Sequence, residues 1–163
     1  VLGTHFIIVI MEVYVNIYDL STYNRYGEWL GIGAYHTGIE VNNIEYGYGY
    51  STQEEGGVFC CEPGMLEGPS LKTRYLLGKT YKSFLEVQLI TEQLSEEFRG
   101  ADYNLLTKNC NHFSEALAKR LVGKGIPSYC NRGANLMQCF SCLLPFKFLQ
   151  EPEEQPINFK RSF

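Results

Sequence analysis

A single cysteine at the start of an expected helix does most to constrain how this chain can fold. The stretch from residue 109 to residue 123 reads NCNHFSEALAKRLVG. Asn109 is a favoured N-cap residue, because its side-chain oxygen can accept a hydrogen bond from an unpaired N–H of the first turn. Apolar residues then recur at helical spacing before Gly123 ends the pattern: Phe113, Ala116, Leu117 and Leu121. Cys110 is therefore predicted in the first turn, where the positive end of the helix dipole favours thiolate over thiol.

A nucleophilic cysteine needs a base, and the chain has three histidines that could serve. His112 lies two residues after Cys110, and residues i and i+2 of a helix do not face each other. His5 lies in a poorly patterned N-terminal stretch. His36 lies in the glycine-punctuated segment at residues 32–41, which is typical of a strand. Because a papain-type site sets a strand histidine opposite a cysteine at a helix N-terminus, we expect His36 to face Cys110.

Periodicity along the rest of the chain predicts one α+β domain, with an antiparallel sheet and segregated helices. Strands are predicted at residues 13–18, 32–41, 44–50, 57–62 and 71–77, and a last short helix at 135–144. Asn42 and Asn43 are expected to form a two-residue hairpin turn, because both tolerate a positive φ. A capping-box pattern at Ser83 and Glu86 opens a helix that is expected to end near Gly100.

The balance of charges and cysteines argues against several functional classes. A formal net charge of −4 is opposite to the basic surface that nucleic-acid binding requires, so no nucleic-acid partner is expected. No apolar run approaches the roughly 20 residues of a membrane span, so no integral membrane segment is expected. The six cysteines are irregularly spaced, and Cys139 and Cys142 form a lone C-x-x-C without the second pair of a zinc site. We therefore predict reduced thiols, no metal, no cofactor, and a cytoplasmic or nuclear location.

Four short stretches occur in an order that points to a known family. They are VNIYDL at residues 15–20, YHTGIEV at 35–41, YNLL at 103–106 and NCNHF at 109–113. Together they resemble the PPPDE superfamily of permuted papain-fold peptidases, whose known members are deSUMOylating isopeptidases. The resemblance implies a PPPDE-type cysteine peptidase domain at residues 1–145, followed by a polar, flexible tail at 146–163. It also implies a permuted papain-like fold in which the base, His36, precedes the nucleophile, Cys110.

The resemblance further implies acyl transfer at an isopeptide bond between a protein and a small modifier, either SUMO or ubiquitin. The backbone N–H of Cys110 is a natural oxyanion donor at a helix N-terminus, and the side chain of Asn104 is a second candidate. Such modifiers end in a narrow Gly-Gly tail, which Gly33 and Gly38 are expected to accommodate in a slot beside the strand. The expected partners are therefore SUMO- or ubiquitin-conjugated proteins.

Several alternatives stay open at the level of sequence. Glu40 shares a strand face with His36, so it either orients the imidazole or pairs with a surface cation. A thioesterase that removes acyl chains from cysteines would use the same Cys–His chemistry, and a modifier-binding module without catalysis would keep the same motifs. The sequence also leaves the modifier, the target proteins and the oligomeric state undecided, a homodimer included.

Overall fold

The computed structural model describes residues 9–20, 34–52 and 56–132. In this part of the chain five strands form an antiparallel sheet in the order β4-β3-β2-β1-β5. The strands are β1 (Met11–Asp19), β2 (Tyr35–Val41), β3 (Ile44–Tyr48), β4 (Val58–Cys61) and β5 (Ser70–Thr80). Two α-helices follow, α1 (Phe84–Glu97) and α2 (Cys110–Val122), with short 3-10 turns at Gly100–Asp102 and Ser128–Asn131. The α+β class predicted from the sequence is therefore confirmed.

One face of the sheet and the two helices share a single hydrophobic core. The strands contribute residues that alternate along β1, β2 and β3, and the helices contribute their apolar stripes. The most deeply buried side chains of this core include Val13, Val15, Ile17, Ile39, Val41, Tyr46, Tyr48, Val87, Leu94, Phe113 and Leu117. Because successive residues of a strand point to opposite faces, the residues between them form a second face, and His36 belongs to that face.

The hairpin between β2 and β3 sets which residues of the second face lie side by side. Asn42 and Asn43 have φ values of 51° and 60°, as the two-residue turn requires. This tight turn pairs Glu40 with Glu45 across the two strands. On the other side of β2, the pairing with β1 sets Tyr18 opposite His36 and Asn16 opposite Gly38. The second face of the sheet therefore carries two carboxylates on the same side as the histidine.

Both helices begin where the sequence predicted. The Asn109 side chain accepts hydrogen bonds from the backbone N–H groups of Asn111 and His112, and Gly123 ends α2 with a left-handed φ of 71°. Ser83 and Glu86 form the expected capping box of α1. That helix ends at Glu97, before Gly100, which instead lets the backbone of Ser51 approach closely.

The strand boundaries depart from the predictions by a few residues. β5 is longer than predicted because residues 70–80, most of them exposed, pair along the whole of β1, although their apolar pattern is weak. β3 ends at Tyr48 and β4 spans Val58–Cys61, slightly inside the predicted limits. The predicted helix at 135–144, the tail at 146–163, and residues His5, Gly33, Cys139 and Cys142 lie outside the described residues. Within the described ranges, no helix is both long and apolar enough to cross a membrane.

Candidate active site

The first turn of α2 is fixed to strand β2 by a buried amide, the side chain of Asn111. Its Nδ2 donates to the backbone carbonyls of Tyr35, at 3.2 Å, and of Cys130, at 2.8 Å. Its Oδ1 accepts from the Thr37 hydroxyl at 2.9 Å. All three contacts are buried, where an unpaired amide would cost free energy, so they specify one position for the helix start.

A second hydrogen bond supports the same joint from the next turn of the helix. Ser114 Oγ donates to the backbone carbonyl of Thr37 at 3.0 Å. The helix is therefore tied to β2 at residues 35 and 37, which flank His36 in the strand. Since Cys110 precedes Asn111 directly, this joint brings the thiol of Cys110 beside His36. The sequence indicated a capping role for Asn109, but it gave no signal for the part that Asn111 plays in this joint.

The Cys110 thiol interacts with groups that favour its ionised form. Burial is the largest single effect and raises the pKa of this thiol, whereas the charge and the hydrogen bond of the neighbouring His36 imidazole lower it. The backbone N–H of Thr37 and the hydroxyl of Tyr103 also interact with the sulfur and lower its pKa. The net pKa lies below the ordinary value of a cysteine, as a nucleophilic thiolate requires. In the thiol form, the sulfur lies 3.7 Å from Asn111 Oδ1, which can accept its proton in a weak hydrogen bond.

The His36 imidazole shows the opposite shift. Burial lowers its pKa, but the Cys110 thiolate and the carboxylate of Glu45 raise it above the ordinary value of a histidine. The ring lies between two aromatic side chains, 5.9 Å from the ring centre of Tyr18 and stacked on Phe59 at 6.3 Å. Its Nε2 is buried and has no hydrogen-bond partner among the described residues. A thiolate–imidazolium pair is a suitable starting state for acyl transfer.

The other histidine of the described chain has a structural contact of its own. His112 Nδ1 lies 3.2 Å from the Asn109 backbone nitrogen, which donates to it and so completes a capping box. Burial lowers the pKa of His112 below its ordinary range. His112 is not among the groups that shift the pKa of Cys110, whereas His36 is.

The loop before α2 brings a tyrosine to the sulfur. Tyr103 precedes Asn104, and its hydroxyl interacts with both the thiol and the backbone N–H of Cys110. Burial and then the negative charge of Cys110 raise the pKa of this phenol, so it stays protonated and can donate. Asn104 Oδ1 instead accepts from the N–H groups of Leu106 and Thr107, both at 3.0 Å, and so orders the loop. The YNLL stretch was noted in the sequence, but the tyrosine within it was not singled out.

The remaining candidates from the sequence occupy different environments. Glu40 pairs with Arg74 through two contacts of 2.6 and 2.8 Å, so of its two expected roles the structure shows the ion pair. A side chain at Gly38 would collide with the carboxylate of Glu45, so this glycine makes room for an internal group. Within the described ranges, no cluster of three His, Cys, Asp or Glu side chains could hold a metal ion. The cysteines at 60, 61, 110 and 130 are free thiols.

Comparison with known proteins places this site in a family. A family model described as "PPPDE putative peptidase domain" matches residues 11–148. A DeSI-like protein from Arabidopsis thaliana is 42% identical over 133 residues, which is 82% of this chain and 59% of the relative. A protein named desumoylating isopeptidase 1 homolog from Caenorhabditis elegans is 41% identical over 128 residues, covering 76% of this chain and 38% of the relative. Human desumoylating isopeptidase 1 is 40% identical over 101 residues, covering 60% of this chain and 55% of the relative.

This chain thus spans between 38% and 63% of the length of the first relatives it matches. The family match nevertheless includes the whole described site, from β1 through α2. The sheet with segregated helices is consistent with the papain-like fold of that family. The chain belongs to the PPPDE peptidase domain family.

Proposed function

We propose that this protein is a cysteine isopeptidase that removes SUMO from conjugated proteins, with Cys110 as nucleophile and His36 as base and acid. One observation carries this proposal: the interacting pair at the start of α2, in which the pKa of the thiol is lowered and that of the imidazole is raised. The names of the relatives supply the modifier, because two of them are called desumoylating isopeptidases. Ubiquitin is the second modifier to be tested.

The proposed reaction proceeds in two steps. The Cys110 thiolate attacks the carbonyl of the modifier's last glycine, and a C–S bond forms while the C–N bond to the lysine side chain breaks. The His36 imidazolium donates its proton to the leaving amine, which departs neutral. His36 then removes a proton from a water molecule that attacks the thioester, and the thiolate leaves to restore the pair.

Negative charge on the carbonyl oxygen during both steps needs hydrogen-bond donors. The backbone N–H of Cys110 is one, at the positive end of the helix dipole. The Tyr103 hydroxyl is the better-supported second donor, because it already interacts with the same N–H and the same sulfur. Asn104 stays a candidate only through its amide nitrogen, since its oxygen orders the loop. Only about 3% of Cys110 is exposed, so a thin, extended tail suits the approach to the sulfur better than a bulky acyl donor.

The test compares four proteins on matched SUMO- and ubiquitin-linked isopeptide substrates: the wild type, Cys110→Ala, His36→Ala and His112→Ala. Cys110→Ala should abolish turnover, and His36→Ala should lower kcat by about 10²–10⁴-fold, the usual contribution of a general acid or base. His112→Ala is the matched control, because it removes an imidazole from the same helix turn and should cost far less. Near wild-type turnover of His36→Ala, with folding confirmed by circular dichroism, would refute the dyad.

The two rival functions are separated by the same set of proteins. A protein S-acyl thioesterase would release palmitate from an acylated cysteine peptide and would not react with a SUMO probe that carries a C-terminal electrophile. A modifier-binding module would bind SUMO and leave Cys110 unlabelled by that probe. Labelling of Cys110 by the SUMO probe, absent in Cys110→Ala, is the expected result. Labelling by a ubiquitin probe instead would change the modifier and keep the chemistry.

A further inference from the structure

Glu45 is a buried carboxylate that the proposed reaction does not use. Its exposed fraction is 1%, although it lies on β3 in the middle of the second face of the sheet. Its two oxygens accept from the Tyr18 hydroxyl at 2.9 and 2.8 Å. Its Oε2 also accepts from Asn16 Nδ2 at 2.6 Å and from the Gly64 backbone N–H at 2.9 Å. An amide nitrogen and a backbone N–H can only donate, so this environment is built for an ionised, acceptor-only carboxylate.

The arrangement of Asn16 supports the same conclusion. Its Nδ2 reaches both carboxylates, Glu45 and, at 3.3 Å, Glu40. Its Oδ1 is left buried without a hydrogen-bond partner among the described residues. An unsatisfied buried carbonyl is costly, and turning the amide round would set that oxygen against two carboxylates instead. The amide is therefore oriented by negative charge on this face.

The two carboxylates differ in how their charge is balanced. Glu40 has a direct ion pair with Arg74 from β5. In the part of the chain that is described, no lysine or arginine forms an ion pair with Glu45. Hydrogen bonds hold the Glu45 carboxylate, but no basic side chain cancels its charge, and burying such a charge costs folding free energy.

The group that faces Glu45 along the second face is His36. Gly38 separates them and has no side chain, so the carboxylate fills the space beside that residue. Tyr18 connects them, because its hydroxyl donates to Glu45 while its ring centre lies 5.9 Å from that of His36. We propose that Glu45 is a positioning residue of the active site, whose buried negative charge keeps the His36 imidazole in its cationic, proton-donating form. This rests on the proposed function, in which His36 must protonate the leaving amine.

The other ionisable groups near this pair come from every neighbouring strand and from α2. Cys110 on α2 is the direct partner of His36 and also raises its pKa. Burial and the charge of Glu45 raise the pKa of Tyr18, and they raise the pKa of Cys61 on β4 to about 12, so both stay neutral near pH 7. Glu40 is neutralised by Arg74 and is not among the groups that shift the pKa of His36. Among the described residues, Glu45 is therefore the carboxylate of this face that acts on the imidazole.

The inference predicts which limb of a pH–rate profile depends on Glu45. The acid limb reports loss of the Cys110 proton while His36 stays cationic, and the alkaline limb reports deprotonation of His36. Removing a nearby negative charge destabilises the cation, so the alkaline limb should move to lower pH and the acid limb should stay. A neighbouring opposite charge is worth about one pKa unit or more, so a shift of about one pH unit is expected.

The experiment measures this shift in Glu45→Gln, with Glu40→Gln as the matched control. Both substitutions remove one carboxylate from the same face, but only the first removes a charge that no arginine neutralises. The readouts are the pH profile of kcat/KM, which reports the ionisations of the free enzyme, and the NMR titration of the His36 ring in a Cys110→Ala background, which needs no substrate. Glu45→Gln should lower the pKa of His36 and move the alkaline limb to lower pH. Glu40→Gln should leave both at their wild-type values. Glu45→Asp keeps the negative charge and should therefore bring both most of the way back to the wild-type values.

Unchanged His36 titration in a folded Glu45→Gln protein would overturn the inference, as would equal shifts in both glutamine variants. If Glu45→Gln does not fold, the ¹³C carboxyl shift of Glu45 in the wild type decides the matter. An ionised Glu45 throughout the pH range of activity supports the inference, and a protonated one refutes it. Because the NMR titration is independent of turnover, a protein that cleaves no isopeptide bond would refute the proposed function and leave this measurement intact.

Discussion

Replacing Asn111 by alanine is expected to destabilise the protein by about 3 kcal/mol, because this one amide joins three parts of the fold. Its side chain bonds the carbonyls of Tyr35 and Cys130 and the hydroxyl of Thr37. Each hydrogen bond contributes about 1 kcal/mol net, and the groups left behind belong to buried residues. Three lost bonds thus give about 3 kcal/mol, a large share of a typical folding free energy of about 5–15 kcal/mol.

The assay combines urea unfolding with alkylation of Cys110 followed by mass spectrometry. Asn111→Asp should destabilise the protein at least as much as alanine, because it turns a carboxylate oxygen toward two carbonyl oxygens. His112→Ala is the control, since it lies in the same turn and removes only a capping contact worth about 1 kcal/mol. We also expect slower alkylation of Cys110 in Asn111→Ala at neutral pH, because the thiol is no longer fixed beside His36. A loss of less than about 1 kcal/mol, or unchanged alkylation, would refute this account of the joint.

Two further predictions concern side chains on either side of this joint. Tyr103→Phe should lower kcat by about 10²-fold with little change in KM, as loss of one oxyanion donor does, and steady-state kinetics on the SUMO-linked substrate would measure it. The Arg74 guanidinium lowers the pKa of Glu40. The ion pair therefore stabilises the fold at pH values above the ordinary pKa of a glutamate, and this stabilisation is lost as the pH falls through the lowered pKa of Glu40. The stability difference between the wild type and Arg74→Gln should accordingly be present at pH 7 and shrink below about pH 4, as urea unfolding at both pH values would show.

The sequence predicted those parts of the site that depend on a short stretch of chain, namely the helix start at Cys110 and the strand face of His36. Asn109, the apolar stripe and Gly123 lie within fifteen residues of one another, so they identified α2 and the position of Cys110 in its first turn. Strand alternation correctly set Glu40 on the face of His36, and the order of the motifs singled out His36 as the partner of Cys110.

The sequence could not predict which partner each carboxylate contacts, because those contacts depend on strand register. Glu40 pairs with Arg74 only because β5 lies beside β1, with irregularities between Val13 and Tyr14 and between Ile17 and Tyr18. No periodicity in the sequence specifies that offset, so the ion pair between Glu40 and Arg74 could not be predicted. The sequence pointed to Asn104 rather than Tyr103 as an oxyanion donor for a similar reason. The loop that holds both residues has no repeating pattern, and it is ordered by one isolated backbone bridge between Asn104 and Lys108.

The joint between α2 and β2 also determines when during synthesis the protein can acquire its chemistry. Thr37 and Asn111 are 74 positions apart in the chain, and the amide is completed only by the carbonyl of Cys130. When only β1 to β5 of a nascent chain have left the ribosome, His36 has no nucleophile beside it. A nascent chain that ends inside α2 lacks the Cys130 carbonyl, which accepts a hydrogen bond from Asn111. Contacts of this long range form late, after the ends of a large loop have met. The reactive thiolate should therefore arise only in chains that extend past Cys130, so incomplete products on the ribosome carry an unactivated cysteine.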